Sequence, residues 1–188
     1  FSSYDDFTRI WATMSIKNRA KLVRSLTKEE LTMRDPQRTS KQRGETIAHF
    51  LVREHALDEE DLLTEDILLL ADGRGETVAH LWVHRNREFP ENFRANTRVL
   101  NAKNDEGNPV ALAMLERHFA RQSAGIRGTP DSISRLMSSK ELLSISNDLG
   151  WTVAQEFVSR NKRFLPEIFF DPEILKLGAE NEKSIAEM

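Results

Sequence analysis

Apolar residues recur along this chain in a fixed register. They fall three, four, seven and eight positions after a glycine or its equivalent: Ile47, Ala48, Leu51, Val52; Val78, Ala79, Trp82, Val83; Val110, Ala111, Met114, Leu115; Val153, Ala154, Phe157, Val158. That spacing marks one face of an amphipathic helix in each copy. A second set precedes each glycine. Thr64, Asn96, Ser139 and Asp171 are helix N-capping types, followed three and four residues later by Ile67-Leu68, Val99-Leu100, Leu142-Leu143 and Ile174-Leu175. Two further on stand Leu70, Ala102, Ile145 and Leu177, and Thr27 with Leu31 and Met33 reads as the first member of the set. The pattern therefore predicts pairs of short helices, the second of each pair delivered by a glycine turn.

The turns carry a visible repeat: Gly44-Glu-Thr46-Ile47-Ala48-His49, Gly75-Glu-Thr77-Val78-Ala79-His80, Gly107-Asn-Pro109-Val110-Ala111 and Gly150-Trp-Thr152-Val153-Ala154, with a degenerate copy at Glu182–Glu187. Anchor spacings of 31, 32, 43 and 32 residues give a unit near 32 with one insertion. Glycine permits a positive φ, and Thr caps the helix that follows. Pro109 replaces Thr in the third copy, where a first-turn proline loses only an N–H that would be unpaired. The Ala48, Ala79, Ala111, Ala154 column implies close helix packing. Each anchor helix is expected to stop at His55, Asn86, His118 or Asn161, near where Asn or His can take a left-handed cap. Phe89-Pro90-Glu91 and Phe164-Leu165-Pro166-Glu167 then mark a turn into a second helical stretch.

The string Gly-x-Thr-x-x-His before an apolar helix resembles the ankyrin repeat, with Ile47-Ala48 and Val78-Ala79 where Pro-Leu is usual. The resemblance spans roughly residues 27–188 and is specific only around the anchors. The His is lost in the third and fourth copies, Pro109 sits one position early, and the second half of the unit departs from the ankyrin pattern. Leucine-rich variant and armadillo-type repeats are the nearest alternatives. The resemblance implies a protein-binding scaffold without chemistry of its own.

One such unit cannot bury its own stripe, so neighbours must stack. The expected fold is all-α: a right-handed or curved α-solenoid of about five ankyrin-like helical repeats. Residues 1–26 would form an N-terminal helical cap through Phe7, Ile10, Trp11, Met14, Leu22, Val23 and Leu26. The array would run over 27–188, with units starting near 27, 64, 96, 139 and 171. The insertion near 120–138 is expected to hold a mobile loop (Ser123–Thr129) and an extra helix with Ile133, Leu136 and Met137. The last anchor helix reaches only Met188, so the array is expected either to have been cut there or to continue.

Composition changes this picture little. In 188 residues, 39% hydrophobic and 30% charged with no Cys, there is no disulfide framework or thiolate, which fits an intracellular, cytoplasmic setting. Apolar runs such as Ile67–Ala71 are too short to cross a bilayer, so no membrane partner is expected. Charge matters more. The net −3 divides into +5 over residues 1–43, −8 over 44–76, +3 over 77–138 and −3 over 139–188.

Candidate chemistry is sparse. His80 and His84 have metal-compatible spacing but no supporting ligand motif, so no metal or other cofactor is assigned. His49 and His80 are read as bonding the neighbouring turn, and His55 and His118 as helix-end residues. No nucleophile elbow, phosphate loop or dinucleotide fingerprint occurs, and the Asp58–Asp61 run reads as a solvated segment, so no catalytic residue is assigned. The expected function is a non-catalytic module for binding a protein partner. Its candidate contacts are the turn-tip column (Glu45, Glu76, Asn108, Trp151) and the helix-end columns, chiefly Trp151, His84, Arg85, Arg53, Arg117, Arg160 and Glu76. The alternative is a nucleic-acid binder using Lys17, Arg19, Lys21, Arg24, Arg38, Lys41 and Arg43.

Overall fold

Short helices joined by tight hairpins make up the chain. In the computed structural model the described residues are 1–36, 44–57, 62–85, 88–125, 131–161, 166–177 and 185, the side chains of 131 and 132 excepted. Among them every regular element is a helix and no strand forms. The chain divides into two compact units, Phe1–Arg85 and Asn86–Met188.

The first unit contains α1 (Tyr4–Thr13), α2 (Ile16–Val23), α3 (Lys28–Leu31), α4 (Ile47–Arg53), α5 (Glu65–Leu68) and α6 (Val78–His84). Thr27 and Thr64 cap the four-residue helices α3 and α5, each through its hydroxyl. The chain then turns back in a hairpin held by two backbone bonds. In the second copy Val78 N–H donates to the Leu70 carbonyl (2.9 Å) and Asp72 N–H to the Glu76 carbonyl (2.8 Å). Gly75 closes the turn at φ +69°. The first copy makes the same pair of bonds, Ile47 to Met33 and Asp35 to Glu45, at 3.0 and 2.8 Å. α3 packs on α4, α5 on α6, and α4 on α6, so the two copies lie against each other.

The N-terminal helices cover the first copy through aromatic packing. Tyr4, Phe7 and Trp11 form the buried side of α1. Each meets the Phe50 ring of α4 edge-on, at centroid distances of 6.3, 5.8 and 5.9 Å. The residues matching Phe50 in the other copies are Leu81, Ala113 and Glu156, so the large ring stands only in the copy covered by α1.

The second unit contains α7 (Thr97–Leu100), α8 (Val110–Ser123), α9 (Asp131–Leu136), α10 (Lys140–Leu143), α11 (Val153–Arg160) and α12 (Pro172–Leu175). Two 3-10 turns, Glu91–Phe93 and Glu167–Phe170, follow Pro90 and Pro166, and beside them Phe89 and Phe169 are buried. Asn96, Ser139 and Asp171 cap α7, α10 and α12. Both hairpins repeat the geometry of the first unit: Val110 to Ala102 with Asn104 to Asn108, and Val153 to Ile145 with Asn147 to Trp151. The hairpins touch, because Asp148 N–H donates to the Gly107 carbonyl (3.2 Å) and Lys103 pairs with Asp148 (2.8 Å). α8 packs on α11, and α7 on α10.

All four alanines of the anchor column are completely buried, as are Ile47, Val78, Val110 and Val153 beside them. Removing a large apolar side chain from water contributes roughly 1.5–3 kcal/mol, but helices of four to eight residues do not form alone. Packing between copies supplies what local propensity cannot.

The expected helix ends hold at two positions and fail at one. His55 takes the left-handed conformation at φ +57°. His118 instead lies inside α8, buried, because Phe119 extends the apolar stripe for another turn and packs against Phe157 of α11 (ring centroids 6.0 Å apart), while α9 also packs on α8. α11 does stop at Asn161, its C-cap, though at φ −126° and so outside the left-handed region. Asn86 lies outside the described residues, as do Gly128 and much of the proposed loop around it.

Candidate functional site

Three of the four anchor helices, α4, α6 and α11, begin with a reciprocal cap. The Thr46 hydroxyl accepts from His49 N–H, while His49 Nδ1 accepts the Thr46 backbone N–H (3.3 Å) and contacts the hydroxyl at 2.7 Å. Thr77 and His80 repeat this geometry. Thr152 and Gln155 reproduce it with an amide, the Thr152 N–H donating to Gln155 Oε1 at 2.9 Å. An acceptor at Nδ1 leaves the proton of a neutral imidazole on Nε2. His49 accordingly donates from Nε2 to the Glu76 carbonyl (3.0 Å), tying the first copy to the turn of the second. Burial holds its pKa below the ordinary 6.5. The third copy has Pro109 and Leu112 at these positions. A proline has no N–H for the third residue to accept, so both halves of the cap are absent together.

The turn tips share a further device. The carboxylate or amide of Asp72, Asn104 and Asn147 accepts two backbone N–H groups across its own turn, from Arg74 and Glu76, from Glu106 and Asn108, and from Leu149 and Trp151. This column, three residues before each glycine, was visible in the sequence as a run of Asp and Asn. Sequence reasoning passed over it.

These frames set the candidate contacts at two positions per copy, one and nine residues after the glycine. In the first copy they are Glu45 and Arg53, which meet at 2.5 Å. Glu45 is buried rather than exposed at the turn tip, and it also accepts from the Tyr4 hydroxyl (2.9 Å). Arg53 lies over the Phe50 ring, 5.4 Å from its centroid. Burial and the adjacent Glu45 push the Tyr4 hydroxyl pKa far up. Arg53 therefore compensates a buried carboxylate under the α1 cap.

In the second copy the matching residues are Glu76 and His84, whose Oε2 and Nε2 lie 3.8 Å apart. His84 is exposed and Arg85 half-buried at the end of α6. His80 is buried and His84 faces solvent, and among the described residues no group of three His, Asp or Glu could hold a metal ion.

In the second unit Trp151, Glu156 and Arg160 come together. The indole Nε1 donates to Glu156 Oε2 (3.0 Å), and the other carboxylate oxygen pairs with Arg160 (2.5 Å). The Arg160 guanidinium also sits 5.6 Å from the Phe119 ring centroid. Trp151 is half-buried, its indole tied to Glu156 on the helix that follows it. Arg117 is half-buried on α8.

The basic residues divide similarly. Lys17, Lys21 and Arg24 are exposed on or beside α2. Arg19 turns inward, donating to the Trp11 carbonyl (3.1 Å) and covering the Trp11 ring at 5.1 Å. Arg38, Lys41 and Arg43 lie outside the described residues. Among the described residues no helix is long and apolar enough to cross a membrane. No family model, curated protein or solved structure matches this chain.

Proposed function

We propose that this chain is a protein–protein interaction module built from ankyrin-like helical repeats. One observation carries the reading: a constant hairpin-and-helix frame presents chemically different side chains at the same two positions. One and nine residues after the glycine the frame carries Glu45 with Arg53, Glu76 with His84, Asn108 with Glu116, and Trp151 with Ser159. Constant buried columns beside a varying column that is at least partly exposed from the second copy onward are the signature of a repeat scaffold that recognises a partner by its exposed positions. Trp151, His84, Arg85 and Arg160 form the candidate contact set, since interface energy concentrates in Trp and Arg. Arg53 is assigned to the cap instead.

The test begins with a partner identified by crosslinking and then purified. Trp151→Ala, His84→Ala and Arg85→Ala should each weaken its binding by about tenfold or more, with unchanged thermal melting. Wild-type affinity in all three variants would exclude these residues as partner contacts.

A further inference from the structure

We propose that the outer side of α2 is a docking groove for an acidic peptide segment bearing a bulky apolar side chain. It lies apart from the contact set above and does not depend on it. Residues 14–27 hold four cations, Lys17, Arg19, Lys21 and Arg24, and no carboxylate. Arg19 is committed to Trp11, and α2 itself buries only Val23. Lys17 and Lys21 are one turn apart on a single side of the helix, are exposed, and have no ion-pair partner among the described residues.

Beside them lies a depression of about 460 Å³ lined by Met14, Asn18, Lys21, Leu22, Arg24 and Ser25. Met14 and Leu22 are half-buried, and they give its lining an apolar part beside cationic Lys21 and Arg24 and polar Asn18 and Ser25. Ile16, at the first position of the same helix, is 85% exposed. An exposed Ile near a half-buried Met and Leu is an apolar surface of the kind that marks a contact site. Methionine adapts readily to the side chain it receives.

The charges fix the chemistry of the occupant. Uncompensated lysines beside an apolar hollow complement a segment with carboxylates on both sides of one Leu or Phe. Phosphates would pair with the lysines but leave the hollow unfilled, and α2 exposes no aromatic ring on which bases could stack.

Fluorescence anisotropy on the full 188-residue chain tests this. The probe is a labelled peptide of alternating Asp and Glu around a central Leu-Phe pair. Binding is expected, at least about tenfold weaker for the peptide with Ser-Ser at its centre. The Lys17→Glu/Lys21→Glu double variant should lose binding while melting as wild type does, and Trp151→Ala should retain it. Absence of binding, equal binding of the Ser-Ser peptide, or tighter binding of a DNA or RNA oligonucleotide or of phosphatidylserine vesicles would overturn the proposal. Any of these outcomes would leave partner binding through His84, Arg85 and Trp151 untouched.

Discussion

His49 does two jobs with one ring, accepting a backbone N–H at Nδ1 and donating across to the next copy at Nε2. A side chain that keeps the first job should be tolerated, as Gln155 shows in the fourth copy. His49→Gln should therefore cost well under the loss for His49→Leu, which strands the Thr46 N–H, takes one of two donors from the Glu76 carbonyl and should cost about 1–3 kcal/mol. Urea unfolding of both variants checks this, and equal losses would refute the assignment. Protonation provides a second check. Burial holds the His49 pKa below 6.5, and His118 is lowered by burial and then by Arg121. The unfolded chain then binds these protons more readily than the folded one. Stability is complete above about pH 6.5, falls as the pH drops toward the folded-state values, and levels off below them. Thermal melts from about pH 8 to pH 5 should show that decline, shallower in His49→Gln. A flat profile would contradict it. The Thr caps and the His contact to the next turn were legible in the sequence, because each rests on a local pattern. The equivalence of Gln155 to His was legible too but needed the cap to be recognised as a three-residue exchange. The burial of Glu45 was not, since it depends on Tyr4, forty-one positions away.

At the scale of elements the hairpin is the unit that repeats most faithfully. Its glycine is required twice over in the third copy. Gly107 has φ +75°, and a Cβ there would overlap the Asp148 side chain of the neighbouring hairpin. Gly125, at φ +79°, would meet nothing within 4 Å. Both alanine variants carry the left-handed strain of about 1–2 kcal/mol. Gly107→Ala should exceed Gly125→Ala, and adding Asp148→Ala should return part of the difference. Calorimetric melting decides it, and equal losses would mean the hairpins do not touch at this point. The anchor register, the caps and the extra helix after the third copy follow from periodicity and turn residues. The length of α8 was not legible from the repeat columns: Phe119 extends the apolar stripe and packs against Phe157 of α11, a contact made beyond the last column the copies share.

Over the whole molecule, the two compact units are each assembled from copies too short to persist singly. In each, consecutive anchor helices pack on one another, α4 on α6 and α8 on α11, with a buried alanine on every one. Replacing such an alanine by a large residue should disturb two copies rather than one, at a cost of about 1–3 kcal/mol. Amide hydrogen exchange followed by mass spectrometry on Ala111→Leu is the most direct measurement. Mutual support between copies predicts that protection falls together in α8 and in α11, although the substitution lies only on α8. Protection lost in α8 alone, with α11 exchanging at its wild-type rate, would contradict it.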